Sequence, residues 1–216
     1  MTILWQLVDS AFPSGGFAHS WGLEAAYQAG ELDSESALRR FLRDNLWQTG
    51  HAVLPLVTAA HRDPERFETL DADCDAFLTN RIANRASRQQ GRALLAACAR
   101  IWPSPGLADL DARARAGYGH YPPSIGAALR TLNVPIAEAQ SLVLFAASRG
   151  VLAAAIRLGI VGPFRAQQLQ HDCSGWSAAV LAACAARDAA GITQTAPIAD
   201  ILQSAHDRLY SRLFQS

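Results

Sequence analysis

The sequence predicts an all-α fold: a single domain over residues 1–216, built as an irregular helical bundle around a central apolar helix. Three observations carry this. Half of the residues are hydrophobic, enough to bury a substantial core at this length. Alanine is abundant and β-branched runs are scarce, and alanine loses no side-chain entropy in a helix. Apolar residues recur at helical spacing, with no alternating strand pattern.

The elements follow in order. Residues 3–9 read as a short helix. Pro13 lacks an amide donor and Gly15-Gly16 is flexible, so residues 11–17 break it. A second helix is expected from Ser20 as N-cap, with Glu24 in its first turn, where the helix dipole favours a carboxylate. Residues 33–36 are a polar turn and a helix start, followed by Leu38, Phe41, Leu42 and Leu46 on one face. Asp63-Pro64-Glu65 is another start signal. Residues 79–101 place Ile82, Ala86, Gln90 and Leu94 on one side. Arg81, Arg85, Arg88 and Arg92 form a solvated basic stripe on the other. Residues 102–106 and 117–124 are loops. Pro135 opens a helix that is apolar nearly all round from 142 to 156, as expected of a helix at a bundle centre. Two further helices are expected over 164–190 and 197–214.

Composition excludes several chemistries. Lys+Arg and Asp+Glu are both 19, so there is no basic excess for nucleic acid. The sequence contains no lysine. That removes Schiff-base catalysis and the lysine of phosphate-binding loops. Residues 139–156 are the most apolar region, but Arg149 interrupts them and Arg157 closes them, short of the roughly 20 residues of a bilayer span. Cys74, Cys98, Cys173 and Cys184 form no CxxC pair, and residues 1–5 lack a signal-peptide pattern. These features predict a cytoplasmic protein with free thiols.

No catalytic constellation emerges. No Gly-x-Ser-x-Gly elbow is present, and neither glycine-rich nucleotide loop occurs. Asp71, Asp73 and Asp75 alternate at spacing two, which diverges on a helix and suggests a solvated acidic turn. His171-Asp172-Cys173 is the tightest group of potential ligands, of a type that suits nickel. Its i, i+2 spacing is poor, so no metal site is assigned. A nickel carrier using His171 and Cys173, or a helical enzyme using His120, Glu138 and Arg157, are the alternatives.

The ordered run Pro13, Gly15, Gly16, Phe17, Ser20, Gly22, Leu23 and Glu24 resembles the signature of the UreF family of urease accessory proteins. Residues 79–91, 119–126, 157–163 and the closing run 204–216 resemble further blocks of that family. One departure is Ala166, where the family commonly has glycine and a special backbone would be in doubt. The resemblance implies a scaffold and GTPase regulator, not an enzyme. It implies work as a homodimer with a D/H-type accessory protein and the GTPase UreG, delivering nickel to apo-urease. Nickel would be at most in transit, with no stably bound cofactor and no membrane or nucleic-acid partner. The residues expected to contact partners are Phe12, Pro13, Gly15, Gly16, Phe17, His19, Ser20 and Glu24 in the signature, and Tyr210, Arg212, Leu213, Phe214 and Ser216 at the other end. Nothing in the sequence selects an arginine for a role on the GTPase.

Overall fold

A computed structural model describes residues 2–216, apart from the side chains of Thr2 and Phe17. Among the described residues the fold is all-α and has no strand. The helices are α1 (Thr2–Val8), α2 (Leu23–Gln28), α3 (Glu35–Gln48), α4 (Leu54–Arg62), α5 (Phe67–Phe77), α6 (Arg81–Ile101), α7 (Pro105–Ala116), α8 (Tyr121–Thr131), α9 (Ile136–Arg157), α10 (Pro163–Cys184) and α11 (Pro197–Ser204).

Local chemistry starts these helices. Ser34, Asn80 and Ser104 each turn a side-chain oxygen onto the first free amides of α3, α6 and α7. Proline stands in the first turn of α4, α7, α8, α10 and α11, where its missing N–H removes nothing the helix uses. Between α3 and α4 runs one wide π-type turn, Thr49–Val53. Pro55 has no amide to give the His51 carbonyl, and that carbonyl instead accepts Thr193 N–H at 3.2 Å. The linker between α10 and α11 is tied down there. Gln48 Oε1 adds the amides of Thr195 and Ala196.

One contiguous hydrophobic cluster joins α2 through α10. Phe67, Leu42, Leu95, Leu129 and Leu144 are fully enclosed within it. Helix α9 is the one described helix long and apolar enough to cross a membrane, but 61% of its most apolar stretch is buried, so it behaves as a core helix. Helix α8 is enclosed more completely still: residues 122–129 are all buried. It crosses α4 so closely that a Cβ at Gly126 would lie 2.4 Å from the Val57 carbonyl.

Several expectations change. The loops expected over 102–106 and 117–124 end early, at Pro105 and Tyr121, where proline-led α7 and α8 begin. Helix α2 begins at Leu23, not at Ser20, because Trp21 and Gly22 both have positive φ (59° and 83°) and cannot belong to a helix. The last helix stops at Ser204 instead of reaching 214. A short turn, His206–Arg208, follows it, and the chain then runs extended. The α10 helix ends at Cys184. Asp71 and Asp75 are not a solvated turn. They lie one helical turn apart on the inward side of α5, while Asp73 faces solvent.

Candidate functional site

The run 13–24 is shaped by backbone first. Gly15, at φ 72°, caps a short turn, Gly16–Ala18, and a Cβ there would be strained. Trp21 holds a left-handed conformation that costs a side-chain-bearing residue about 1–2 kcal/mol. The two reversals aim His19, Ser20 and Glu24 inward, where they are 4%, 0% and 1% exposed.

What they meet is the other end of the chain. The carboxylate of Glu24 accepts the amides of Leu213 (2.7 Å) and Phe214 (3.2 Å). Ser20 donates both its amide and its hydroxyl to the Ser216 carbonyl, each at 2.7 Å. The Ala18 carbonyl accepts Gln215 N–H at 2.8 Å. His19 Nδ1 and Ser216 Oγ share a 2.7 Å hydrogen bond. His206 Nε2 donates to the Phe214 carbonyl at 3.1 Å, and its Nδ1 lies 3.9 Å from the Glu24 carboxylate. Residues 209–216 leave the helix because their amides and carbonyls are satisfied in this seat, as buried backbone must be.

Arginines close the seat from outside. Arg157 stacks its guanidinium 4.1 Å from the Phe214 ring centre and donates to the Leu213 carbonyl. Arg85 makes a two-pronged contact with Asp207 at 3.1 and 2.9 Å and holds that carboxyl below its ordinary value. Arg212 reaches the same carboxylate at 3.2 Å. Burial, with Arg85 and His206 nearby, lowers the His19 pKa to about 4, so its ring is neutral at pH 7. His19 also borders a cavity of about 240 Å³ between α3, α6 and α11.

The residues expected to contact partners therefore divide by burial into three groups. His19, Ser20, Glu24, Phe214 and Ser216 are buried against one another. Pro13, Gly15, Tyr210, Arg212 and Leu213 are exposed, with Tyr210 wholly outside and Leu213 59% exposed. Phe12 is half-buried and stacks on Trp102, and Gly16 is half-buried beside it. The side chain of Phe17 lies outside the described residues.

A second latch was missed in the sequence. Asp71 accepts the amides of Tyr118, Gly119 and His120 at 2.8, 2.8 and 2.7 Å. His120, fully buried at the start of α8, donates from Nε2 to Asp75 and bonds Ser87 Oγ through Nδ1, both at 3.1 Å. Burial lowers its pKa, with Asp75 opposing. The connectivity is Ser–His–Asp, yet the Tyr121 amide also uses the Ser87 hydroxyl, and the network pins the 117–121 loop to α5 and α6. The i, i+4 pair Asp71 and Asp75 was the available signal; the loop they hold was not.

The UreF family model matches residues 32–174. The urease accessory protein F of Arabidopsis thaliana is 37% identical over 98% of this chain and 91% of its own length. That of Oryza sativa subsp. indica is 35% identical over 97% of this chain and 83% of its own length. The urease accessory protein UreF of Arthrobacter sp. (strain FB24) is 32% identical over 99% of this chain and 96% of its own. The chain belongs to the UreF family.

Residues 13–24 form, in this chain, the seat of residues 209–216. Alanine at position 166 needs no special backbone. Ala166 is a buried first-turn residue of α10 whose amide bonds the Gly162 carbonyl, so no positive φ is required. The alternative sites do not assemble. His171 is exposed, whereas Cys173 is buried with its thiol pKa pushed up to about 11, and Asp172 pairs with Arg39 at 2.6 Å. Glu138 and Arg157 stand at opposite ends of α9, about 28 Å apart at the helical rise. Among the described residues no three His, Cys, Asp or Glu side chains converge as a metal site.

Proposed function

We propose that this UreF-family chain is a non-catalytic accessory protein of urease maturation. It acts as one unit over residues 1–216. It joins a D/H-type accessory protein, the GTPase UreG and apo-urease as a homodimeric scaffold and regulator of the GTPase. Nickel is then cargo in transit and not a resident cofactor. The relatives' names support the pathway, and the four buried free thiols suit the reducing cytoplasm.

The observation that carries the docking role is the seat. Five buried signature and tail residues hold an extended segment whose outward side chains, Tyr210 and Leu213, are apolar and uncovered. An isolated fold gains nothing from presenting them, whereas a partner surface buries them. The D/H-type accessory protein is the proposed occupant. The test compares the full chain, Tyr210→Ala/Leu213→Ala, and a chain lacking residues 209–216 in pull-down with that protein. We expect at least a tenfold loss for both variants. Undiminished binding by the shortened chain would overturn the docking role.

A further inference from the structure

Helix α6 carries Arg81, Arg85, Arg88 and Arg92 at steps of four, three and four, so they share one face over about 16 Å. With Asn84 and Gln89 they line an open groove of about 450 Å³. Their positive charges are unequally matched. Arg85 is committed to Asp207. Arg92 donates to the Gly117 carbonyl, a neutral acceptor, at 2.8 Å. Arg88 lies 5.3 Å over the Tyr118 ring. The charge of Arg88 is felt at the Asp75 carboxylate, but Asp75 already accepts Asn84 (2.9 Å) and His120. Among the described residues Arg81, Arg88 and Arg92 form no ion pair. In a chain of zero net charge, three such guanidinium groups on one helix face are a local excess.

We propose that this groove docks an acidic segment of a partner protein, with carboxylates set to meet Arg81, Arg88 and Arg92. Guanidinium and carboxylate match as two-pronged, charge-assisted pairs, and an extended strand of about five residues spans the stripe. A single-stranded nucleic acid fits less well. Tyr118, the aromatic side chain that touches the stripe, already has Arg88 over its ring and His120 beside it, and neutrality overall gives a polyanion no long-range attraction. The inference rests on the accessory role above for its choice of partners.

The missing lysine makes the test clean. Arg81→Lys and Arg88→Lys each place the sole side-chain amine of the chain in the groove, and Arg100→Lys places it outside, exposed on the same helix. Each variant is mixed with the D/H-type protein, UreG and apo-urease. A carbodiimide then joins amines to carboxylates already in contact, and mass spectrometry locates the junctions. We expect junctions from positions 81 and 88 to Asp or Glu of one partner, and none from position 100. In parallel, Arg81→Glu/Arg88→Glu should slow association with that partner at least tenfold at low salt and remove its salt dependence. If the unmodified chain assembles with no partner, the accessory role fails and this proposal falls with it. If it assembles but positions 81 and 88 give no more junctions than position 100, only the groove proposal is overturned. Retention of an oligo(dT) probe through these arginines, without partner junctions, also overturns it.

Discussion

Glu24 is a carboxylate buried in the seat, and it is tolerated because two main-chain amides point at its oxygens. Removing such an acceptor strands the donors, at about 1–3 kcal/mol. Glu24→Ala should therefore raise amide exchange at Leu213 and Phe214 by about tenfold or more, leaving the α8 amides protected. Equal exchange in both chains would mean that the carboxylate does not hold the tail. His19 makes the same seat sensitive to acid. Its folded pKa, about 4, is below the ordinary value of about 6.5, so the opened form takes up the proton first as pH falls. The tail is held fully above about pH 6.5 and progressively released towards pH 4. Exchange at Gln215 should rise across that window, and His19→Gln should flatten the rise while His120, lowered in the same direction, still weakens the fold elsewhere.

Two glycines show how an element's surroundings overrule its propensity. Both stand inside helices, where alanine is favoured by about 1 kcal/mol. At Gly175 of α10 an added Cβ meets nothing within 4 Å, so Gly175→Ala should raise stability by about 0.5–1 kcal/mol. At Gly126 the Cβ would enter the Val57 carbonyl and crowd Ala60, forcing α8 and α4 apart. Gly126→Ala should lower stability by about 1–3 kcal/mol in denaturant titrations of the two variants side by side. Equal shifts of the same sign would refute the close crossing. Propensity and capping explain why α3, α6 and α7 begin where they do; the start at Ser34 is legible in the sequence, whereas the cap at Asn80 is not singled out there and Ser104 reads as part of a loop. The close approach was not, because its partner is about 70 residues away in sequence.

At the scale of the molecule, the two ends of the chain support each other while the main core lies between them. A chain lacking residues 209–216 should keep its helical circular dichroism, because the leucine-rich cluster of α3 to α9 does not depend on the tail. It should lose about 2–4 kcal/mol, for Phe214 leaves the core and Glu24 and His206 lose their partners. At this size that is roughly 4–16 °C in Tm. An unchanged Tm would show the seat to be energetically idle.

Periodicity, caps and proline positions determined the all-α class and most helix starts, since these signals lie within one or two turns of the residue they govern. The ordered signature identified the UreF family for the same reason: it is a local string. Local information stopped at Ser204. Beyond it the pattern still favours helix, and only the seat, assembled from residues nearly 200 positions away, supplies hydrogen bonds that outcompete it. The inward turn of Asp71 and the division of the arginine stripe between structural and unmatched charges were likewise decided by neighbours that only the tertiary fold brings together.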